Sequence, residues 1–262
     1  MVTAVHILLW AWMLTDSWVC SDSLPKETTE KFITGCVEEH NKARSSVIPP
    51  ALDMLFMTWD EGLAITAAAW ARNCLFEHNT HLEEVRRVHP TFSSVGENIW
   101  VGYPPSHFNV VRAIQSWVNE KQVYNYDQNT CSGVCGHYTQ VVWASSYKVG
   151  CAVQLCPGGV KKTSFSSKEG AIFVCNYATA GNVRGRQPYK RGSGCLGCEG
   201  TCVDNLCRSP DRDSQKSYTW SPDWDPANSD YVPVIVRPLA LVFTFIVALA
   251  VHYFYPNVFC YE

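Results

Sequence analysis

Apolar residues recur along the chain with two different spacings, and each spacing predicts a different element. In Glu30 to Arg44 (EKFITGCVEEHNKAR), Phe32, Ile33, Cys36, Val37 and His40 fall on one face at three- and four-residue intervals, predicting an amphipathic helix. Asp60 can cap a second helix over Glu61 to Glu77, where Leu63, Ala67, Trp70, Ala71 and Cys74 keep the same period. Phe108 to Tyr124 repeats it through Val111, Ile114, Trp117 and Val118. Other apolar segments are short, β-branched or aromatic, and bounded by Gly, Pro and Ser. Thr139 to Trp143, Val149 to Leu155 and Ala171 to Tyr177 therefore read as strands. Helices first and strands later predict an α+β layered domain.

The two ends differ from this middle. Val5 to Leu14 (VHILLWAWML) is almost wholly apolar but too short to span a bilayer, which suits the core of a signal peptide over 1–22 with cleavage between Ser17 and Ser23. Leu239 to Val251 carries no charge, and the run continues to Tyr255, near the lower limit of roughly 17 residues for a spanning helix. A transmembrane segment over 234–255 is expected, with Pro256 to Glu262 as a short cytoplasmic tail. A glycolipid-anchor signal near Ala227, Asn228 and Ser229 is the alternative. Between domain and tail, residues 191–208 form a cysteine-rich hinge, and 209–231 are polar and without period, which reads as a stalk.

Composition narrows the class. Hydrophobic residues make up 47% of the 262, and 10 are Trp, enough to fill a core. The net charge of -3, with Lys and Arg scattered, excludes a nucleic-acid partner. Thirteen cysteines in closely spaced groups point to an oxidising, secretory-pathway protein, with its folded domain luminal or extracellular.

Four ordered motifs then become specific. HNKAR at His40 to Arg44, GENI at Gly96 to Ile99, GHYTQVVW at Gly136 to Trp143 and IFVCNYATAGNV at Ile172 to Val183 resemble those of the CAP superfamily, the cysteine-rich secretory, antigen 5 and pathogenesis-related proteins. Within it the chain is similar to the glioma pathogenesis-related group, which shares the CGHYTQVVW context, the adjacent Cys131 and Cys135, and an apolar C-terminal segment. Thr179 departs from the usual second signature. The absence of cysteines between Cys207 and Cys260 removes the channel-regulatory module, so channel block is not inherited.

The resemblance implies a three-layer α-β-α sandwich CAP domain over 30–190 with a central antiparallel sheet. It implies the disulfide pairs Cys74 with Cys156, Cys151 with Cys175, Cys131 with Cys135, Cys195 with Cys202 and Cys198 with Cys207, leaving Cys36 a free buried thiol. It also places His78, Glu97, Glu120 and His137 in the family's cleft, as a metal set for which zinc is the leading ion. Such a site should weaken below neutral pH, because an imidazole must be neutral to ligate and its reference pKa is about 6.5. His40 and Arg44 read as framework residues, whereas Tyr138 and Gln140 are candidates for a binding patch.

Two functions are compatible with this reading. One is a non-enzymatic module that binds a protein or lipid ligand, tethered to a membrane through its C-terminal segment or secreted. The other is a metal-assisted hydrolase or protease using the same cleft, although no nucleophile elbow or HExxH helix is present.

Overall fold

The structure, a computed structural model, describes residues 29–84, 86–229 and 231–254. The expected signal segment 1–22 lies outside them. Helix α1, Glu30–Ser45, buries Phe32, Cys36, His40, Ala43 and Arg44. Helix α2, Glu61–Ala71, is capped by Asp60, whose Oδ1 accepts the Leu63 N–H at 3.0 Å. It ends before the expected Glu77 because Cys74 takes a positive φ of 47° and is bonded to Cys156. Helix α3, Val110–Asn119, is capped by Asn109 and tightens into a 3-10 turn, Glu120–Val123, so it stops short of Tyr124.

The strands are β1 (Thr58–Trp59), β2 (Gly96–Gly102), β3 (Tyr124–Asn125), β4 (Thr130–Cys131), β5 (Lys148–Cys156), β6 (Gly170–Ala178), β7 (Thr201–Val203) and β8 (Leu206–Arg208). The main sheet has the order β1-β5-β6-β2. Its long pairs are antiparallel, with Cys151 opposite Cys175, whereas the short β1 edge runs parallel to β5. β5 and β6 are apolar on both faces, and that dictates three layers: each face must be covered. Phe173, Cys175 and Tyr177 meet α1 and α3 residues such as Phe32, Ile114 and Trp117 on one side. Ile172 and Val174 alternate to the other side, against Ala67, Trp70 and Ala71 of α2. Contact there is so close that a methyl group on Gly150 of β5 would lie 2.1 Å from the Ala64 nitrogen.

One predicted strand is a helix. Thr139 to Trp143 was expected to be extended from its β-branched residues, but Gly136–Val141 forms helix α4. The first backbone donors of this turn are satisfied from outside it, since Glu120 Oε2 accepts the N–H groups of His137 and Tyr138 at 3.0 and 3.1 Å. A tertiary acceptor at a helix start outweighs local strand preference.

The hinge is the β7–β8 hairpin, docked through Cys207, whose N–H donates to Met54 O and whose carbonyl accepts from Phe56 N–H. The five expected disulfide pairs are all present and Cys36 is free and buried. The described part of 209–231, expected as a polar stalk, contains the short helices α5 (Pro210–Asp213) and α6 (Pro226–Ser229), and 218–225 lie against the domain. Tyr218 donates to Asp60 Oδ2 at 2.9 Å, Trp224 Nε1 to Arg87 O at 2.8 Å, and Arg72 pairs with Asp225 at 2.6 Å. Aromatic anchors in a polar stretch make this contact. A final helix α7, Tyr231–Phe254, follows. Among the described residues no helix is long and apolar enough to cross a membrane, so the span expected over 234–255 is not found among them.

Two buried side chains of α1 tie the layers together. Arg44, 1% exposed, donates to the carbonyls of Leu55, Val141, Trp143, Ala144 and Ser146 at 2.6–3.1 Å. Burial pulls its pKa down to about 9, so it still carries its charge at neutral pH. His40 is fully buried. Its Nδ1 donates to Cys36 O at 2.7 Å, so Nε2 accepts from the Tyr177 hydroxyl at 2.9 Å, and burial lowers its pKa to about 4.

Three outcomes follow from these contacts. Arg44→Lys keeps a charge but not the planar fork of donors, and chemical denaturation should show a loss of about 3–5 kcal/mol. Gly150→Ala should cost about 1–3 kcal/mol by the same measurement, since backbone atoms of α2 stand where the methyl would go. The depressed His40 pKa means that the unfolded chain binds a proton between pH 6.5 and about 4 while the folded chain does not. Stability should therefore fall by a few kcal/mol as pH drops through that window. A His40→Gln variant, even if less stable overall, should show a flatter pH profile there.

Candidate functional site

The loop that follows α2 carries His78 and is pinned on both sides. Cys74 is bonded to Cys156, and Trp70 Nε1 donates to Glu77 O at 2.8 Å. Glu97 sits in β2 and is 8% exposed. Its Oε1 accepts from His78 Nδ1 and from the Asn79 N–H, both at 2.9 Å, and its Oε2 lies 3.5 Å from Asn176 Nδ2. The hydrogen bond to Glu97 raises the pKa of His78, more than its partial burial lowers it.

The second pair is built at the junction of α3 and α4. Glu120 opens the 3-10 turn, and His137 is the second residue of α4. His137 Nδ1 meets Glu120 Oε1 at 2.6 Å, and the other carboxylate oxygen accepts the two backbone N–H groups that start α4. The His137 ring stacks on Trp117, which in turn stacks on Phe173 of β6. Asn98 Nδ2 holds the His137 carbonyl at 3.0 Å and reaches the Tyr177 hydroxyl at 3.2 Å.

The four expected residues are thus brought together as two imidazole–carboxylate pairs. They do not form one compact cluster of four donors. Among the described residues, the only group of three or more His, Cys, Asp or Glu with donor atoms mutually within 4.8 Å is Cys195, Cys198 and Cys207. Those sulfurs are committed to disulfides, so they offer no thiolate to a metal. In each imidazole–carboxylate pair the Nδ1 is used and the Nε2 has no hydrogen-bond partner among the described residues. A carboxylate that fixes one ring nitrogen leaves the other as a lone-pair donor in the neutral tautomer.

Sequence reasoning missed the residues around these pairs. Asn79, Asn98, Asn176 and Trp117 orient the site, and Asn79 Nδ2 and Asn176 Oδ1 are buried beside Glu97 without a partner. The positions of Asn98 inside GENI and of Asn176 inside IFVCNYATAGNV gave the signals. Conversely, the suspected binding patch is structural. Gln140, 2% exposed, donates to Ser146 Oγ and accepts from Gly181 N–H, and Tyr138 packs against Tyr124. A side chain on Gly181 would collide with Trp143 and Gln140 at under 3 Å, which keeps this loop tight despite Thr179.

Comparison with known proteins agrees with this architecture. The model of the cysteine-rich secretory protein family, CAP, matches residues 37–177. The chain is 44% identical over 240 residues to GLIPR1-like protein 1 of Bos taurus, covering 90% of this chain and 95% of that one. It is 41% identical to glioma pathogenesis-related protein 1 of Mus musculus, covering 98% of each. Among solved structures, NaASP2 with Zn2+ superposes with a TM-score of 0.54 at 25% identity, over 71% of this chain and all of that one. Venom allergen-like protein 4 of Schistosoma mansoni gives 0.50 at 25% identity, over 67% of this chain and all of that one. With the sandwich, the disulfides and the motif residues in place, the chain belongs to the cysteine-rich secretory protein (CAP) family.

Proposed function

We propose that this chain is an extracellular CAP-domain binding protein that takes up zinc, or another divalent ion, at His78 and His137 and acts by engaging a protein or lipid ligand. The observation that carries this reading is the shared construction of the two pairs: a carboxylate on Nδ1 and a free Nε2. Glu97 and Glu120 then serve as holders that fix ring orientation and raise ligand basicity. The donor chemistry fits zinc, which accepts neutral imidazole nitrogen and can leave positions for water or a ligand oxygen. When bound, the ion supplies a Lewis-acidic contact for an oxygen donor of the ligand. NaASP2, a structural neighbour, was solved with this ion. Disulfide density and the family's secretory character support an extracellular setting.

Calorimetric titration of zinc into the metal-free protein tests the site. His78→Ala and His137→Ala should each lower affinity at least a hundredfold. Glu120→Gln, which keeps a hydrogen-bond acceptor but loses the charge, should lower it by about 10–100-fold. Wild-type affinity in both histidine variants would sink the reading. Zinc competes with protons, and the Glu97 bond raises the pKa of His78, so affinity should already decline as pH falls through neutrality.

Tethering belongs to the same proposal. The exposed apolar side chains of α7, including Phe243, Phe245 and Ile246, support a lipid-seated tail. An epitope tag after Glu262 checks it: surface protein that retains the tag indicates a span. Loss of the tag with phospholipase release indicates a glycolipid anchor, and full release into the medium rejects both.

A further inference from the structure

The Cys131–Cys135 bridge occupies a different place in the fold from the other four. Cys131 lies in β4 directly opposite Tyr124 of β3, and β3 continues without a break from the turn that carries Glu120. Cys135 immediately precedes α4, which carries His137. The disulfide is therefore a clasp across the loop that separates the two halves of the Glu120–His137 pair.

We infer that Cys131–Cys135 is a site of thiol–disulfide exchange with an external dithiol, and that its opening loosens the hold of Glu120 on His137. Three features select this bridge. It closes the shortest loop of the five, with a sequence separation of 4 against 82, 24, 7 and 9, so loop closure stabilises it least. Its outer sulfur residue is exposed, as are Ser132, Gly133 and Val134, the last at 70%, so a donor protein can approach and find an apolar contact. By contrast, Cys151 and Cys175 are fully buried. Cys202 of the hinge is exposed too, but its bridge interlocks with Cys198–Cys207, so opening it leaves the same hairpin closed by a second bond. Finally, β3 and β4 share only two residue pairs, Tyr124 with Cys131 and Asn125 with Thr130, and beside them the tie is the exposed Ser132 N–H on Val123 O at 2.9 Å, so a short, solvent-facing hairpin is what remains once the sulfur bond is gone.

The exchange is an ordinary two-electron transfer. A thiolate of the donor attacks Sγ of Cys131, the Cys131–Cys135 bond breaks, and Cys135 leaves as a thiolate that takes up a proton. The second thiol of the donor, as thiolate, attacks the donor's first sulfur in the mixed disulfide, and Cys131 leaves as a thiolate that takes up a proton. The donor ends as a disulfide and the protein as a dithiol. Two electrons and two protons have passed to the chain. Oxidation by the reverse path restores the clasp.

This inference rests on the metal reading only for its consequence, and the experiment separates the two. The full chain in detergent micelles is treated with reduced thioredoxin as the dithiol probe, quenched at intervals with N-ethylmaleimide and mapped by mass spectrometry. Cys131 and Cys135 should be labelled at least tenfold faster than any other bonded cysteine. Hinge cysteines labelled first, or all ten together, would overturn the assignment. In parallel, carbethoxylation of His137 by diethylpyrocarbonate should quicken several-fold on reduction while that of His78 stays constant. An unchanged His137 rate in the reduced protein, or in a Cys131→Ser/Cys135→Ser variant that retains its far-ultraviolet spectrum, would refute the coupling. Zinc titrated into the same samples reads the metal proposal alone: no binding to the oxidised wild type sinks that reading and leaves the labelling result standing.

Discussion

The guanidinium of Arg44 is the contact on which the arrangement of layers depends. It leaves α1 and meets the carbonyls of the 55 segment, of the end of α4 and of the turn leading into β5, all its hydrogen bonds among the described residues going to backbone oxygens. Two of these carbonyls also accept a backbone N–H, Ala144 O from Leu55 and Trp143 O from Ser146, and the guanidinium adds a donor to all five. A buried carbonyl without a donor costs free energy comparable to a lost hydrogen bond, so a single forked cation that satisfies five of them also decides where three segments lie. The burial that lowers its pKa to about 9 is tolerable because all those dipoles point at it.

His40, one helical turn earlier, extends this framework toward the site. Its ring accepts from the Tyr177 hydroxyl, Tyr177 accepts from Asn98, and Asn98 holds the carbonyl of His137. The His137 imidazole is thus fixed from two sides: through its backbone by a buried chain that starts in α1, and through Nδ1 by Glu120. Trp117 adds a flat wall stacked between His137 and the sheet. Rigidity of this kind is what a metal or ligand site on a loop-rich edge requires, because a ligand nitrogen held loosely loses affinity to ordering entropy.

The other imidazole has a different support. His78 stands on a loop fixed by the Cys74–Cys156 bond and by Trp70, while Glu97 is set by the β2 ladder and by neighbouring asparagines. Both halves of the site therefore borrow their geometry from covalent cross-links close by: Cys74–Cys156 for one pair and Cys131–Cys135 for the other. The C-terminal segment adds a further constraint, since Tyr218 and Trp224 press residues 218–225 onto the α2 side of the domain.

Much of this was determined by the sequence by itself. The period of Phe32, Cys36 and His40 made α1, and that of Ile114 and Trp117 made α3. The short apolar runs Val149 to Leu155 and Ala171 to Tyr177 marked β5 and β6, and four ordered motifs pointed to the family. These signals are local, because side chains three, four or two apart share a face whatever the rest of the chain does. Tertiary structure alone decided the remainder. Whether His137 sits on a strand or a helix depends on the carboxylate of Glu120, distant in sequence, taking the first donors of the turn. Whether Glu97 and Glu120 are free or already engaged depends on which imidazole each one meets. Whether 209–231 stands clear or packs depends on a place for Trp224 to bury, next to His81 and Trp70. Such contacts join residues far apart in the chain, and no spacing within a segment encodes them.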